Sequence, residues 1–300
     1  MTKDKENNFK IGFIGVGSPK CATSWTYKCL AEHPEICMGE PKEIHFFHPN
    51  DKSGKYNWKY EKGLDFYKSH FSNCKPNQII GEFGPLYFND PDTPHLIKKH
   101  FPDVKIIINL RNPVDKIFSH YNHSITKNDT DLTFEEAIKN PEWIELFTKF
   151  HPHLKRFFDN FPRENILINI YEDIEKDPVK FIQRIYKFIG ADENYVPKLA
   201  HTHINAAVAR YSKKNKKIKR NIFKVYKFFK RLPILNKIIL KLKNKGTSDK
   251  IIGKIDEATI RKSEKPKMKP ETREKLKKIT APEVEKVEKL LGYRIESWHE

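Results

Sequence analysis

Residues 11–16 (IGFIGV) form a short apolar run closed by Gly17, and the loop behind it, Gly17-Ser18-Pro19-Lys20-Cys21-Ala22, leads directly into a helical pattern. A run this short and apolar, ending in a tight glycine turn, predicts a buried strand. The helix is expected from about 23 to 33, where Pro34 stops it, with Thr26/Leu30 and Trp25/Cys29 as i,i+4 pairs. Strand, tight loop and helix together make an anion site, because the first amides of a helix have no intrahelical acceptor. Lys20 adds a full positive charge, and Thr23 and Ser24 add hydroxyl donors. The chemistry suits a phosphate or sulfate group. The plainer alternative is a strand–helix turn with a surface lysine. An ATPase loop does not fit: it needs lysine directly before the hydroxyl residue, whereas Lys20 precedes Thr23 by three positions.

Further strands are expected over 78–83, 104–110 and 165–171. The segment VKIIINL at 104–110 is unbroken and rich in β-branched isoleucine, as in a central parallel strand covered on both faces. After it, Asn112 can cap a helix, Pro113 fits the first helical position and Asp115 suits the positive end. The strand runs into Arg111, where a Walker-type site would place a metal-binding aspartate, so a nucleotide would be held without a dedicated metal. Helices are expected over 134–139, 141–161, 178–189 and 282–291. This alternation predicts an α/β fold, P-loop-like, with a mainly parallel central sheet flanked by helices, as one domain over 1–300.

The formal charge of +18 is unevenly placed. Residues 210–245 carry 15 Lys and Arg with no Asp or Glu, which leaves +3 for the rest. Ile218, Ile222, Val225, Tyr226 and Phe229 share one helical face, and Leu235, Ile238, Ile239 and Leu242 share another after Pro233. They predict a basic helical insert at about 210–248. Such an insert can lie on an anionic membrane surface, bind a polyanion, or be a hairpin with solvated lysines; nucleic acid is not favoured. The cysteines Cys21, Cys29, Cys37 and Cys74 have no C-x-x-C spacing. No apolar signal segment and no run of 18 apolar residues is present. The expectation is a cytoplasmic protein with free thiols, peripheral at a membrane if the insert binds one. Cys21 is either activated by Lys20 and the helix start or a small inert loop residue. His120 and His123 stand at helical spacing with no carboxylate or cysteine to complete a site, so no metal is expected.

The loop GSPKCATS (17–24) resembles the 5′-phosphosulfate loop of sulfotransferases that use 3′-phosphoadenosine 5′-phosphosulfate (PAPS). The likeness continues in HPEICMGEPKEIHFF (33–47), GEFGPLYF (81–88), KIIINLRNPVDKIFSHY (105–121) and the tail at 265–298, and it is similar to the heparan-sulfate type and its bacterial relatives. The resemblance implies transfer of a sulfuryl group from PAPS to a hydroxyl, or an amine, of a carbohydrate-like acceptor. It also implies that Arg111 and Ser119 hold the 3′-phosphate and that Glu43, in E-x-H-F-F, is the general base. His45 is the alternative base or the group that orients Glu43. Phe46 and Phe47 beside Glu43 would raise its pKa toward neutrality. Lys20 would stabilise charge on the leaving phosphate. The amides of Cys21, Ala22, Thr23, Ser24 and Trp25 would hold the 5′ end. The chain departs from the family pattern at Ala22 (usually Gly), at Phe83 (a substrate-contacting Lys in several heparan-type relatives) and at Ile279 (often aromatic, a packing difference). The competing readings are a nucleotide-dependent kinase or phosphotransferase, and a non-catalytic polyanion- or membrane-binding protein.

Overall fold

In the computed structural model, residues 9–48, 59–127, 129–130, 132–202, 209–211, 260–262 and 266–300 are described. The chain forms two compact units. The first comprises Met1–Ile117, Asn140–Ile204 and Pro270–Glu300, and the second Phe118–Lys139 and Asn205–Lys269.

The first unit is built on five strands: β1 (Phe13–Gly17), β2 (Ile36–Met38), β3 (Ile79–Phe83), β4 (Lys105–Leu110) and β5 (Ile166–Ile170). Their order is β2-β3-β1-β4-β5, and every pairing is parallel. Both faces are covered, which is why β1 and β4 are apolar without alternation. Ile14, Val16, Ile106, Ile108 and Leu110 enter one core with Phe150, Leu154 and Phe157 of the segment around α7 (His151–Asn160) and Val284 and Val287 of α10 (Pro270–Leu291). Phe13, Phe83 and Ile107 enter the other core, under α1 (Thr23–Glu32) and α9 (Pro178–Ile189). Each fully buried isoleucine or phenylalanine is worth about 1.5–3 kcal/mol. Strand order reverses beside β1, which lies between β3 and β4. The crevice beyond the carboxyl ends of β1 and β4 is the switch point where open α/β sheets bind ligands.

The strands expected at 11–16, 78–83, 104–110 and 165–171 are β1, β3, β4 and β5. Helix α9 matches its expected span. Asp177 Oδ1 accepts from Lys180 N (2.9 Å) at its start, and Gly190 (φ 87°) ends it. Strand β2 was not expected, since three residues carry no period. The helix expected over 141–161 is two, α6 (Pro141–Thr148) and α7. Lys149 leaves the helical region and Pro152 starts a new first turn, the helical place that tolerates proline. The helix expected from 282 begins at Pro270 and passes through Pro282. Ile279 on it is 45% exposed, so its departure from the family pattern is not a packing difference. Helix α4 (Pro113–Lys127) starts in the first unit and continues into the second. There the capping box of Thr133 and Glu136 opens α5 (Phe134–Ala137), and Phe134 packs on Phe118 and Tyr121. Strands β6 (Ala209–Tyr211) and β7 (Ile260–Lys262) pair antiparallel. The rest of the basic insert expected at 210–248 lies outside the described residues.

The expectation of free thiols fails at two positions. Cys37 on β2 and Cys74, beyond α2 (Gly63–Ser69), form a disulfide with their Cα atoms 5.5 Å apart. The turn between α2 and β3, not spacing in the chain, brings Cys74 within bonding reach of the edge strand. Cys21 and Cys29 are free and buried.

Candidate active site

The loop after β1 is shaped by its backbone. Gly17 has φ 143°, and a Cβ there would lie 2.7 Å from the Phe88 Cβ and the Pro85 carbonyl oxygen, so only glycine fits. Lys20 (φ 70°) and Ala22 (φ 57°) are both left-handed. Such residues alternating with others gather successive N–H groups into an anion-binding concavity. Glycine adopts the left-handed conformation of Ala22 freely, whereas an L-residue pays about 1–2 kcal/mol for it. Thr26 N donates to the Ala22 carbonyl (2.9 Å), so Thr23, Ser24 and Trp25 offer amides with no intrahelical acceptor. Thr23 is buried and Ser24 exposed. The Trp25 side chain belongs to the core, its Nε1 donating to the Leu199 carbonyl (3.2 Å), so only its backbone faces the loop's task. The Cys21 thiol is wholly buried, and burial pushes its pKa up to about 11, which makes it the inert loop residue of the two alternatives.

Arg111 follows β4 at the switch point. Its Nη1 donates to the Lys20 carbonyl (3.4 Å), its Cζ lies 4.0 Å from the Tyr171 ring centroid, and its buried Nε has no hydrogen-bond partner among the described residues. A guanidinium held from behind with a desolvated N–H left over is fitted to an anion. The turn behind it is closed by polar contacts. Asn112 Oδ1 caps Val114 N (3.0 Å), and Glu172 accepts from Asn112 N (2.9 Å) and Trp298 Nε1 (3.1 Å). Lys116, one turn into α4, is 2% exposed with Nζ 4.1 Å from the Phe150 ring centroid. Burial pulls its pKa down to about 8, against the opposing influence of Cys21. Ser119 lies on the part of α4 that belongs to the second unit, where it is half-buried.

The E-x-H-F-F segment is pinned by its backbone. Ile44 O accepts from Lys59 Nζ (2.6 Å), Phe47 N donates to Tyr87 Oη (3.4 Å), and Phe47 O accepts from Thr93 Oγ1 (2.6 Å). Phe46 and Phe47 turn into the core against each other and Tyr67. The expected apolar pocket for Glu43 is therefore not what faces it. Glu43, with its side chain 25% exposed, pairs with His45 Nε2 (3.0 Å) and Lys42 Nζ (3.7 Å). Lys42 Nζ also donates to Ser24 Oγ (3.3 Å), tying the candidate base to the anion loop. Burial pushes up two other carboxyls: Glu172 behind Arg111, and Glu82 on β3, which reaches about 7 and accepts from Tyr67 Oη (2.8 Å) and Tyr87 Oη (3.2 Å).

Residues 12–291 match the profile of the family described as the sulfotransferase domain. The chain belongs to the sulfotransferase domain family. It is 29% identical over 189 residues to heparan sulfate glucosamine 3-O-sulfotransferase 5 of Mus musculus, covering 59% of this chain and 52% of that one. It is 30% identical over 156 residues to the membrane-associated sulfotransferase kil1 of Dictyostelium discoideum, covering 49% of this chain and 31% of that one. The chain thus spans about half the length, or less, of these curated relatives. The sulfotransferase of Alicyclobacillus acidocaldarius shares the fold, with a TM-score of 0.68 at 22% identity over 97% of this chain and 100% of that one.

Within this sulfotransferase domain the structure joins Lys20 to Arg111 and the loop to Glu43 and His45. Sequence reasoning missed Lys42, although it stands inside the quoted motif, because a lysine beside glutamate has no period of its own. It also missed Asn109, Glu82 and Lys116, whose burial is set by strand register and helix packing.

Proposed function

We propose that this sulfotransferase-family protein transfers a sulfuryl group from PAPS to a hydroxyl of a carbohydrate-like acceptor. The observation that carries the reading is the bridge from Ser24 through Lys42 to Glu43, which ties a proton acceptor to the anion loop. The loop amides and Lys20 take the 5′-phosphosulfate, and Arg111 takes the 3′-phosphate with its fork of donors. Ser119 keeps the 3′-phosphate role that the motif implies. As the bond from sulfur to the leaving phosphate oxygen breaks, Lys20 meets the charge that develops there. Glu43 takes the acceptor proton, and His45 Nε2, 3.0 Å from its Oε2, orients the carboxylate.

Phe83 bears on the acceptor. It is 1% exposed and packs where a Cβ on Gly15 would stand, so no cation reaches the acceptor from this position. This favours an acceptor other than heparan sulfate itself.

Calorimetry with 3′-phosphoadenosine 5′-phosphate (PAP), in chelator, tests donor binding, and transfer of label from PAPS to a panel of carbohydrates tests the reaction. Binding without added metal and labelled product are expected. Lys20→Ala is expected to abolish transfer while the circular dichroism spectrum stays unchanged. Wild-type protein that does not bind PAP, or Lys20→Ala with near wild-type turnover, overturns the reading.

A further inference from the structure

Two asparagines stand one residue from the carboxyl ends of the isoleucine-rich strands β4 and β5. Asn109 on β4 and Asn169 on β5 are register partners, and both are 0% exposed. Buried amides persist only when their donors and acceptors are matched. Here the matching has a direction. Arg184 Nε, on α9, donates to Asn169 Oδ1 (3.1 Å), and Asn169 Nδ2 donates to Asn109 Oδ1 (3.1 Å). With its oxygen taken, Asn109 turns Nδ2 toward the anion loop. It donates there to the Cys21 carbonyl (3.2 Å) and to Thr26 Oγ1 (3.0 Å). Thr26 Oγ1 in turn donates to the Ala22 carbonyl (3.2 Å). The main chain of Asn109 holds the near end of the loop, its carbonyl accepting from Ser18 N (2.7 Å).

We infer that Asn109 is a positioning residue for the donor, fixing the peptide planes of the loop from beneath through the two bonds of its own Nδ2 to the Cys21 carbonyl and Thr26 Oγ1. In a planar trans peptide the C=O and the following N–H point in opposite directions. Holding the Cys21 carbonyl toward Asn109 on the sheet therefore turns the Ala22 N–H away from it, toward a bound anion, while the Ala22 carbonyl, bonded to Thr26 N and Oγ1, points along α1 and leaves the Thr23 N–H facing back out of the helix start. These bonds support Ala22 where support is most needed, at a left-handed residue with a Cβ.

The inference rests on the donor-binding reading above, and PAP titration of the wild type separates the two. Asn109→Leu removes both bonds to the loop and is expected to raise the PAP dissociation constant by about 10- to 100-fold, the scale of losing buried hydrogen bonds. The acceptor KM is expected to stay within about threefold, because these bonds do not reach E-x-H-F-F. Asn169→Leu is the control. It breaks the bonds on the far side of Asn109 and lowers the melting temperature, yet leaves Asn109 Nδ2 facing its two loop acceptors, so PAP affinity is expected within about threefold of wild type. If Asn109→Leu does not fold, Asn109→Thr, which also lacks the amide donor, carries the same expectation. Equal PAP affinity in wild type and Asn109 variants overturns the inference alone. So does a loss in Asn169→Leu as large as that in Asn109→Leu, since that pattern marks a merely structural pair. A wild type that does not bind PAP overturns both readings.

Discussion

At the scale of single residues the proposed chemistry rests on Glu43 and His45, 3.0 Å apart. Glu43→Gln is expected to lower turnover by roughly 10²–10⁴-fold, the usual share of general-base catalysis. PAP affinity is expected to be unchanged, because the proposed donor site is the loop and Arg111, not Glu43. The acidic limb of the pH–rate profile should disappear, since that limb reports the base losing its proton. His45→Ala is the companion measurement. An acidic limb that survives in Glu43→Gln and vanishes in His45→Ala would exchange the two roles. Glu43 and His45 were legible because E-x-H-F-F is a local motif. The environment was not, because the side on which Phe46 and Phe47 pack is decided by Tyr67, about twenty positions away.

At the scale of elements, the edge strand β2 is held by its pairing with β3 and by the Cys37–Cys74 disulfide to the turn after α2. The bridge closes a separation of 37 residues, for which chain-entropy arguments give about 2–4 kcal/mol. Cys74→Ser, or added reductant on the wild type, is expected to lower the urea midpoint accordingly. An unchanged midpoint in reductant would show that the bridge does not contribute. Helix α9 was legible to the residue, with an aspartate cap at one end and a glycine at the other. The break between α6 and α7 was not, because the apolar pattern continues through Phe150, which the core keeps fully buried.

At the scale of the whole molecule, Glu82 couples stability to pH. Burial lifts its folded-state pKa from 4.5 to about 7, against the opposing hydrogen bonds from Tyr67 and Tyr87 and the charge of Lys59, while Glu43 adds to the rise. Between these two values the folded protein holds a proton that the unfolded chain has lost. Stability from this group is therefore full below about 4.5 and falls as pH rises toward 7. The loss is on the order of 3 kcal/mol, from about 1.4 kcal/mol per pKa unit. Urea unfolding at acid and at mildly alkaline pH is expected to show a steeper decline in wild type than in Glu82→Gln. Parallel curves for the two proteins would exclude the coupling.

The sequence by itself determined the strand–loop–helix after β1, the central strand ending in Arg111, the α/β class and the family. The first two are written within windows of about a dozen residues, where apolar period, glycine, proline and capping side chains act on their own neighbourhood, and the class and the family follow from several such windows in order along the chain. Only the tertiary structure decided which distant polar groups meet. Cys37 finds Cys74, Asn109 finds Asn169 and the loop carbonyls, and Trp298 finds Glu172 behind Arg111. The partners within each pair lie tens of residues or more apart in the chain. Their meeting follows from parallel register and from which helix covers which face, and these depend on all five strands closing around two cores at once.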